Sequence, residues 1–304
     1  MDSAEQAAGD PRWAAKVAAV ERIRPSDGGQ APPLPPPGEP VIITKQHRRF
    51  TEFADAVRRD HYIGLCYGPP GVGKTVSARQ YARQYAGWDE LHPLLLSVSR
   101  YLAAGRLRDD WHTLVFTPTV NATARAVSTE LRDLSNRLSM LRGNDHDDWR
   151  TYHQPHSLAA YTELLIVDEA DRLQTAALEQ LRDHYDRSHL GLILIGMPGL
   201  EKRLARYPQL YSRIGFVHEY QPLSTAELSF VLDHHWADLG LTLSASDFTD
   251  TEAAAAITRI TGGNFRLVHR LFDQIARILE INGLHTITSE VVETARESLV
   301  IGSL

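Results

Sequence analysis

Short apolar runs alternate with amphipathic stretches from residue 41 to about residue 221. The runs YIGLCYG, HTLVFTP, ELLIVDEAD and LGLILIGMP have the length and composition of buried strands. Between and after them, apolar residues recur at helical spacing in KTVSARQYARQYAG, VNATARAVSTELRDLSNRLSML, TAALEQLRDHYDRS and GLEKRLARYP. Strands that alternate with helices predict an α/β fold, in which a parallel sheet lies between helices.

The pattern changes after Pro222, where the strand signals largely stop. The segment STAELSFVLDHHWADLG begins with a predicted capping box, formed by Ser224 and Glu227. Further helical patterns follow at about 251–261, 264–281 and 289–299. The sequence therefore predicts an α/β core over residues 41–221 and a small all-helical domain over residues 222–304.

The chain begins with a proline-rich arm, residues 1–40, which ends in SDGGQAPPLPPPGEP. Proline at this density is incompatible with helix interiors and with sheet ladders. We expect a flexible arm, either disordered or used to dock a partner, with a short helix around PRWAAKVAAVERI.

A glycine-rich segment, GPPGVGKT, follows the first predicted strand and matches G-x-x-x-x-G-K-[ST] in full. Its glycines let backbone N–H groups surround phosphates, and the start of the next helix adds positive potential. Lys74 is expected to reach the β- and γ-phosphates, and the Thr75 hydroxyl to bind Mg²⁺. ATP and Mg²⁺ are thus the expected cofactors. The predicted nucleotide-binding residues are Gly68, Pro69, Pro70, Gly71, Val72, Gly73, Lys74, Thr75 and Val76.

The run LLIVDEAD supplies carboxylates at the end of a buried strand. Asp168 follows the strand at its carboxyl end, where ligands bind in open α/β sheets, and is expected to hold Mg²⁺. Glu169 is expected to polarise the attacking water as a general base. Asp171 is interpreted as a cap for the next helix.

Four segments, GPPGVGKT, LLIVDEAD, LYSRIG and GGNFR, occur in the order and at about the spacing found in AAA+ ATPases. The chain resembles this family over roughly residues 41–300, which implies that the helical domain is a lid over the nucleotide. Arg266 matches the lid arginine that points at the γ-phosphate. A positive charge in the first turn of a helix is unfavourable without an anion, which fits that role.

The resemblance also implies an arginine that acts in the nucleotide site of a neighbouring subunit. Arg213 is favoured for this role and Arg206 is the alternative. One departure concerns the polar residue that usually ends strand four and orients the attacking water. Here Gly196 or Met197 stands at that position, which predicts slow hydrolysis suited to a switch.

Within the family, the chain most resembles the ATPases that regulate DNA transposition, of the TniB, TnsC and Mu B type. This resemblance implies a homo-oligomer, a ring or a helical filament, that assembles with ATP on duplex DNA. It would recruit or activate a transposase, with or without a targeting protein, and hold DNA through its phosphates. The candidate DNA-binding residues are Arg100, Arg106, Arg108, Thr119 and Arg125.

Two other functions remain open from the sequence. The core and lid also resemble secretion ATPases of the ExeA type, especially in the segments LEQLRDHYD and GMPGLEKRL, and this resemblance implies a machine with protein clients. The other alternative is a signalling switch of the STAND type. The basic positions Lys45, Arg48 and Arg49 are an alternative basic patch, expected near the adenine.

Composition says more about where the protein works than about its activity. The formal net charge of −6 does not indicate nucleic-acid binding. A local basic stripe on an acidic protein is still compatible with such binding. The single cysteine, Cys66, excludes a disulfide framework. No apolar run approaches the roughly 18 residues needed to cross a bilayer. A cytoplasmic protein without a membrane partner is expected.

Overall fold

A computed structural model describes residues 42–86, 112–142 and 162–299. The predicted arm over residues 1–40 lies outside these ranges, as do the candidate DNA contacts Arg100, Arg106 and Arg108. In chain order, the described strands and α-helices are α1 (Lys45–Asp60), β1 (Ile63–Tyr67), α2 (Lys74–Ala86), β2 (Thr113–Phe116), α3 (Ala124–Arg142), β3 (Leu164–Val167), α4 (Thr175–Arg187), β4 (Gly191–Gly196), α5 (Leu200–Leu204), α6 (Pro208–Tyr211), β5 (Ile214–Glu219), α7 (Thr225–Asp238), α8 (Phe248–Thr261), α9 (Phe265–Asn282) and α10 (Ser289–Glu297).

The five strands form one sheet in the order β2-β3-β4-β1-β5, and all of its neighbouring strands run parallel. Strands β2, β3 and β4 are buried along their whole length. This is expected where helices cover both faces of a parallel sheet. The predicted α/β fold class is confirmed.

Alternate residues of the sheet face two separate apolar clusters. In β1, Ile63 and Leu65 pack with side chains from α3, α4 and α5. Cys66 faces the other side and packs with residues of α1 and α2, including Phe50 and Ala78. Burial raises the pKa of the Cys66 thiol to about 12, so this residue is a small core side chain and not a reactive thiolate.

Two elements of the core were not predicted from the sequence. Helix α1 precedes the first strand and buries Phe50, Phe53 and Val57 against the sheet. Strand β5 pairs with β1 at the edge of the sheet. Along β5, half-buried residues alternate with exposed ones. An edge strand of this kind lacks the continuous apolar run of a central strand, which explains why the pattern was missed.

The helices after the sheet surround an apolar cluster of their own, which includes Trp236, Val268 and Leu271. The predicted capping box is present: the Ser224 side chain accepts from the Glu227 N–H, and the Glu227 side chain accepts from the Ser224 N–H. The three later helical patterns are confirmed as α8, α9 and α10. None of the described helices combines the length and the apolar composition needed to span a bilayer.

The segment that leaves the sheet passes directly over the turn between α8 and α9. The Leu223 N–H donates to the Gly263 carbonyl at 2.9 Å. A Cβ on Gly263 would lie 2.4 Å from the Leu223 carbonyl oxygen, and the backbone φ of Gly263 is +77°. Only glycine fits this position, because both the left-handed backbone and the close backbone contact exclude a side chain.

Gly263→Ala is therefore expected to destabilise the protein more than Gly262→Ala. Gly262 also has a positive φ, +53°, but no atom lies within 4 Å of a Cβ built there. The shared backbone cost is about 1–2 kcal/mol. The overlap with Leu223 should add about 1–3 kcal/mol at Gly263 alone. Urea unfolding followed by circular dichroism measures both variants, and equal free energies of unfolding would contradict the proposed backbone overlap.

Candidate nucleotide-binding site

The parallel sheet brings the predicted nucleotide residues to one edge. Tyr67 at the end of β1 is in register with Gly196 at the end of β4, and Val167 at the end of β3 pairs with Leu194. The glycine-rich loop continues from β1, and Asp168 continues from β3. The carboxyl ends of adjacent parallel strands form the usual ligand crevice of open α/β sheets.

Lys74 opens α2 and points back into the glycine-rich loop. Its ammonium donates to the Gly68 carbonyl at 2.6 Å and to the Pro69 carbonyl at 2.7 Å. Burial lowers the pKa of Lys74, and the negative charges of Asp168 and Asp171 act in the opposite direction. A buried cation at this point favours the binding of an anion such as a phosphate.

Asp168 and Thr75 meet beneath the loop, as the sequence predicts. The Asp168 side chain is only 4% exposed, and burial raises its pKa. The Thr75 hydroxyl and the Glu169 N–H counteract that rise, and the Glu169 N–H donates to Asp168 Oδ1 at 3.0 Å. One carboxylate beside one hydroxyl fits Mg²⁺, which usually takes its remaining ligands from phosphates and water.

The described residues contain no cluster of three or more histidine, cysteine, aspartate or glutamate side chains suited to a metal ion. The donor set of Thr75 and Asp168 matches a metal that arrives with a nucleotide.

Glu169 is held by an ion pair within its own loop. Its carboxylate pairs with the Arg172 guanidinium, and Arg172 Nη1 donates to the Pro118 carbonyl at 3.2 Å. The backbone of Glu169 is left-handed, with φ 54° and ψ 42°, which is uncommon for a residue with a side chain. The predicted general base therefore lies next to the site but is paired with a cation.

Asp171 does not cap the next helix, so that interpretation was wrong. The residue before α4 is Gln174, and no side chain caps this helix. Asp171 lies in a short 3-10 helix, Ala170–Arg172, and its Oδ2 accepts from the Met197 N–H at 2.9 Å. It thereby joins the loop after β3 to the end of β4.

The start of α9 rests on the glycine-rich loop and brings Arg266 to it. The Arg266 N–H donates to the Gly71 carbonyl at 2.9 Å. The Arg266 charge contributes to lowering the pKa of Lys74, so both cations act on the same space. An anion in the loop would therefore be attracted by two positive side chains and by the start of two helices.

Asn264 joins the loop to the helical domain in a way that the sequence did not reveal. Its side-chain oxygen accepts from the Leu267 N–H at 3.2 Å, which caps α9. Its side-chain amide donates to the Pro70 carbonyl at 2.9 Å. The cap is local to the start of α9, whereas the bond to Pro70 depends on how α9 packs against the loop.

A pocket lies beside the loop, between α1, α2, the end of β5 and the start of α9. Three buried polar groups line it in a chain: His47 Nδ1 lies 3.0 Å from Ser77 Oγ, which lies 2.8 Å from the Tyr220 hydroxyl. Its lining residues are Ile42, Thr44, His47, Val72, Gly73, Val76, Ser77, Tyr220 and Phe265. The basic side chains expected near the adenine, Lys45, Arg48 and Arg49, are exposed and are not among them.

Arg213 lies at the sheet edge opposite its own glycine-rich loop. Its carbonyl accepts from the N–H of Ile63, the first residue of β1, at 3.2 Å. Its guanidinium binds the two Asp186 oxygens at 2.6 Å and 2.9 Å. Arg206 is exposed in the segment between α5 and α6. Arg213 is therefore separated by the length of β1 from the glycine-rich loop.

The two candidate DNA contacts that the structure describes lie near the phosphate edge. Thr119 is exposed in the loop that follows β2, and Arg125 is exposed in the first turn of α3. The same loop contains Pro118, whose carbonyl binds Arg172. The loop therefore connects an exposed surface to the side chain that holds Glu169.

Sequence comparison relates the chain to ATP-binding proteins. A family model described as an AAA domain matches residues 57–204. A potential ATP-binding protein of Staphylococcus aureus is 46% identical over 279 residues, which cover 86% of this chain and 97% of that protein. The ATP-dependent target DNA activator B of Escherichia phage Mu is 28% identical over 212 residues, which cover 67% of this chain and 54% of the activator.

Solved structures with the same fold include other AAA+ proteins. RuvB of Thermotoga maritima, a Holliday junction branch migration motor, matches with a TM-score of 0.53 at 18% identity, over 88% of this chain and 74% of RuvB. The Aeropyrum pernix ORC2 protein matches with a TM-score of 0.51 at 17% identity, over 87% of this chain and 72% of its own. At this identity the likeness concerns the fold alone.

Asp168→Asn should stabilise the ligand-free protein at neutral pH while it weakens Mg²⁺ binding. Because burial raises the folded-state pKa of Asp168 above 3.8, ionisation of this carboxyl reduces the free energy of unfolding as the pH rises. The advantage of asparagine should narrow as the pH is lowered toward 3.8. We also expect Mg²⁺ affinity in the presence of ATP to fall by at least about tenfold.

Thermal unfolding across pH, with and without Mg²⁺ and ATP, measures both effects. A variant that is less stable than the parent at neutral pH, without ligand, would contradict the assigned cost of burying the Asp168 charge.

Proposed function

The chain belongs to the AAA ATPases, and from this premise we propose that it regulates DNA transposition. It would oligomerise with ATP on duplex DNA, recruit or activate a transposase, and use hydrolysis as a slow switch. The observation that carries the proposal is the match to an ATP-dependent target DNA activator over 67% of this chain.

Each nucleotide-site residue has a proposed role in ATP hydrolysis. The glycine-rich loop and Lys74 bind the β- and γ-phosphates, and Arg266 approaches the γ-phosphate from the lid. Thr75 and Asp168 hold Mg²⁺, which when bound offsets the negative charge of the phosphates. Glu169 accepts a proton from the attacking water.

The buried pocket beside the loop is the proposed site for the adenine. Its position next to Val72 and Val76 places it along the start of α2, on the side of the loop that faces α1. Apolar walls with a few convergent polar groups are typical of base and cofactor pockets. Here His47, Ser77 and Tyr220 supply the polar groups.

Slow hydrolysis is supported by the ion pair between Glu169 and Arg172. A carboxylate that is held by a guanidinium of its own loop has to leave that partner before it comes within hydrogen-bond reach of an attacking water. The two side chains are 45% and 39% exposed, and such pairs contribute at most about 1 kcal/mol. The pair is therefore weak enough to be opened by a change in its surroundings.

Assembly through a head-to-tail contact is supported by the position of Arg213. An arginine at the edge opposite its own phosphate site is suited to act on the site of another subunit. Such a contact uses two different surfaces and closes into rings or continues into filaments. Arg213 would have to exchange Asp186 for the neighbouring nucleotide.

DNA binding would depend on many weak phosphate contacts along the oligomer. The chain has a formal net charge of −6, so a single subunit has little general attraction for DNA. Repetition of Thr119 and Arg125 in each subunit of an oligomer multiplies a weak contact. Contacts of this kind lose affinity steeply as salt rises.

We expect ordered rings or filaments on duplex DNA with ATP or a non-hydrolysable analogue, and not with ADP. Electron microscopy and sedimentation measure this assembly, with Lys74→Ala as the variant that cannot hold the triphosphate. Arg213→Ala should reduce assembly-dependent ATP turnover by roughly 1,000-fold or more if it acts as an arginine finger. Arg206→Ala is its matched comparison.

Oligomers that form with ATP but ignore DNA would reject the transposition proposal and favour a machine with protein clients. A protein that stays monomeric with every nucleotide would reject the role of Arg213 between subunits.

Arg172→Ala should raise ATP turnover in the absence of DNA. Removal of the cation frees Glu169, and about 1 kcal/mol corresponds to an increase of about fivefold in rate. Arg187→Ala is the control, because Arg187 forms an exposed ion pair with Asp183 on α4. Steady-state phosphate release measures both variants, and an unchanged or lower rate for Arg172→Ala would contradict the inhibitory role of this pair.

A further inference from the structure

At the end of β4, the position of Gly196 has no side chain, and the carboxylate of Asp171 from another segment lies there instead. A Cβ on Gly196 would lie 2.6 Å from Asp171 Oδ1 and 2.9 Å from Asp171 Oδ2. The same Cβ would lie 2.5 Å from Leu200 Cδ2, the movable end of a side chain. The Asp171 carboxylate therefore occupies the space in which a side chain at position 196 would begin.

Two sets of hydrogen bonds hold Asp171 in this position. Its Oδ2 accepts from the Met197 N–H at 2.9 Å. Arg203, half-buried on α5, donates to the Asp171 carbonyl at 2.8 Å and also to the Leu173 carbonyl. Arg203 thus binds the backbone of this segment and not the Asp171 carboxylate.

The other carboxylate oxygen, which lies at the end of β4, remains available for a hydrogen bond. Asp171 Oδ1 has no hydrogen-bond partner among the described residues, and the side chain is half-buried. Burial lowers the pKa of Lys74, and the charge of Asp171 is among the negative charges that oppose this shift, so the two side chains interact electrostatically. Asp171 also lies three positions after Asp168 and two positions after Glu169, in the 3-10 helix at the same edge of the sheet.

We propose that Asp171 orients the attacking water, in place of a polar side chain at the end of β4. Asp171 Oδ1 accepts a hydrogen bond from the water while Glu169 accepts the proton that the water loses. The water oxygen bonds to the γ-phosphorus, and the bond from that phosphorus to the β–γ bridging oxygen breaks. ADP and phosphate are the products, so atoms and charge balance.

This inference rests on the proposed ATP hydrolysis and corrects one argument for its slowness. Gly196 does not leave the water without a polar partner, because a different segment supplies one. The pairing of Glu169 with Arg172 then remains as the structural reason for a slow basal rate.

A purely structural role for Asp171 is separable from a role in catalysis. An asparagine at position 171 can still accept from the Met197 N–H and thus keep the bond to β4. It lacks the negative charge and presents an amide donor wherever its oxygen is used for Met197. Asp171→Asn should therefore spare the fold and impair only the interaction with water.

The experiment compares ATP turnover, ATP affinity and thermal stability of Asp171→Asn with those of the full-length parent. We expect kcat to fall by about 100-fold, the loss typical of a misplaced reactant, while KM and Tm stay close to the parent. Asp183→Asn, an exposed carboxylate on α4, is the matched control and should change none of the three values.

A double variant tests whether the two positions share one space. Gly196→Asn alone should lower Tm, because its Cβ overlaps the Asp171 carboxylate. Asp171→Gly combined with Gly196→Asn removes that overlap and places a polar side chain at the end of β4. We expect the double variant to have a higher Tm than Gly196→Asn. We also expect it to have a higher kcat than Asp171→Gly alone.

The outcomes separate this inference from the function on which it rests. If Asp171→Asn turned ATP over at the rate of the parent, or if its Tm fell together with its kcat, the role of Asp171 alone would be overturned. A parent protein that binds ATP but never hydrolyses it, with or without DNA, would overturn the proposed ATPase and this inference together.

Discussion

The parallel register of the sheet is the constraint on which the rest of the site depends. Because β1, β3 and β4 are neighbours and run in one direction, the segments that follow them all leave at the same edge. Residues that lie far apart in the chain, such as Lys74 and Asp168, meet there. The apolar strands are buried on both faces, so this edge is the place where polar groups can emerge.

The charged groups to which the proposed function gives a role are bound by their own chain. Lys74 donates to loop carbonyls, Glu169 pairs with Arg172, and Arg213 pairs with Asp186 at the opposite edge. These contacts give each charge a polar or oppositely charged partner, which reduces the cost of removing it from water. In the proposed function each of these groups exchanges an internal partner for the nucleotide or the water, so the network sets how readily the site responds.

The helical domain contacts the glycine-rich loop through one backbone hydrogen bond and one side chain. The Arg266 N–H donates to the Gly71 carbonyl, and the Asn264 side chain donates to the Pro70 carbonyl. The start of α9 and the glycine-rich loop are therefore joined directly, and a shift of one is felt by the other. This arrangement fits a nucleotide site whose occupancy is communicated to the helical domain.

Local patterns in the sequence determined much of the fold and the chemical identity of the site. The central strands, most helices and the glycine-rich loop were predictable, because each depends on a continuous run of residues with one period or one motif. Asp168 and Thr75 were found in the same way, since each follows directly from a strand or a motif.

Only the tertiary structure decided which distant residues complete the site. The pairing of Asp171 with Met197, of Arg172 with Pro118 and of Asn264 with Pro70 each joins segments that no local pattern connects. The edge strand β5 was missed because its half-buried residues lack a continuous apolar run. Sequence periodicity reports which residues are buried within an element, whereas hydrogen bonds between loops depend on how the elements pack, and packing is a property of the whole chain.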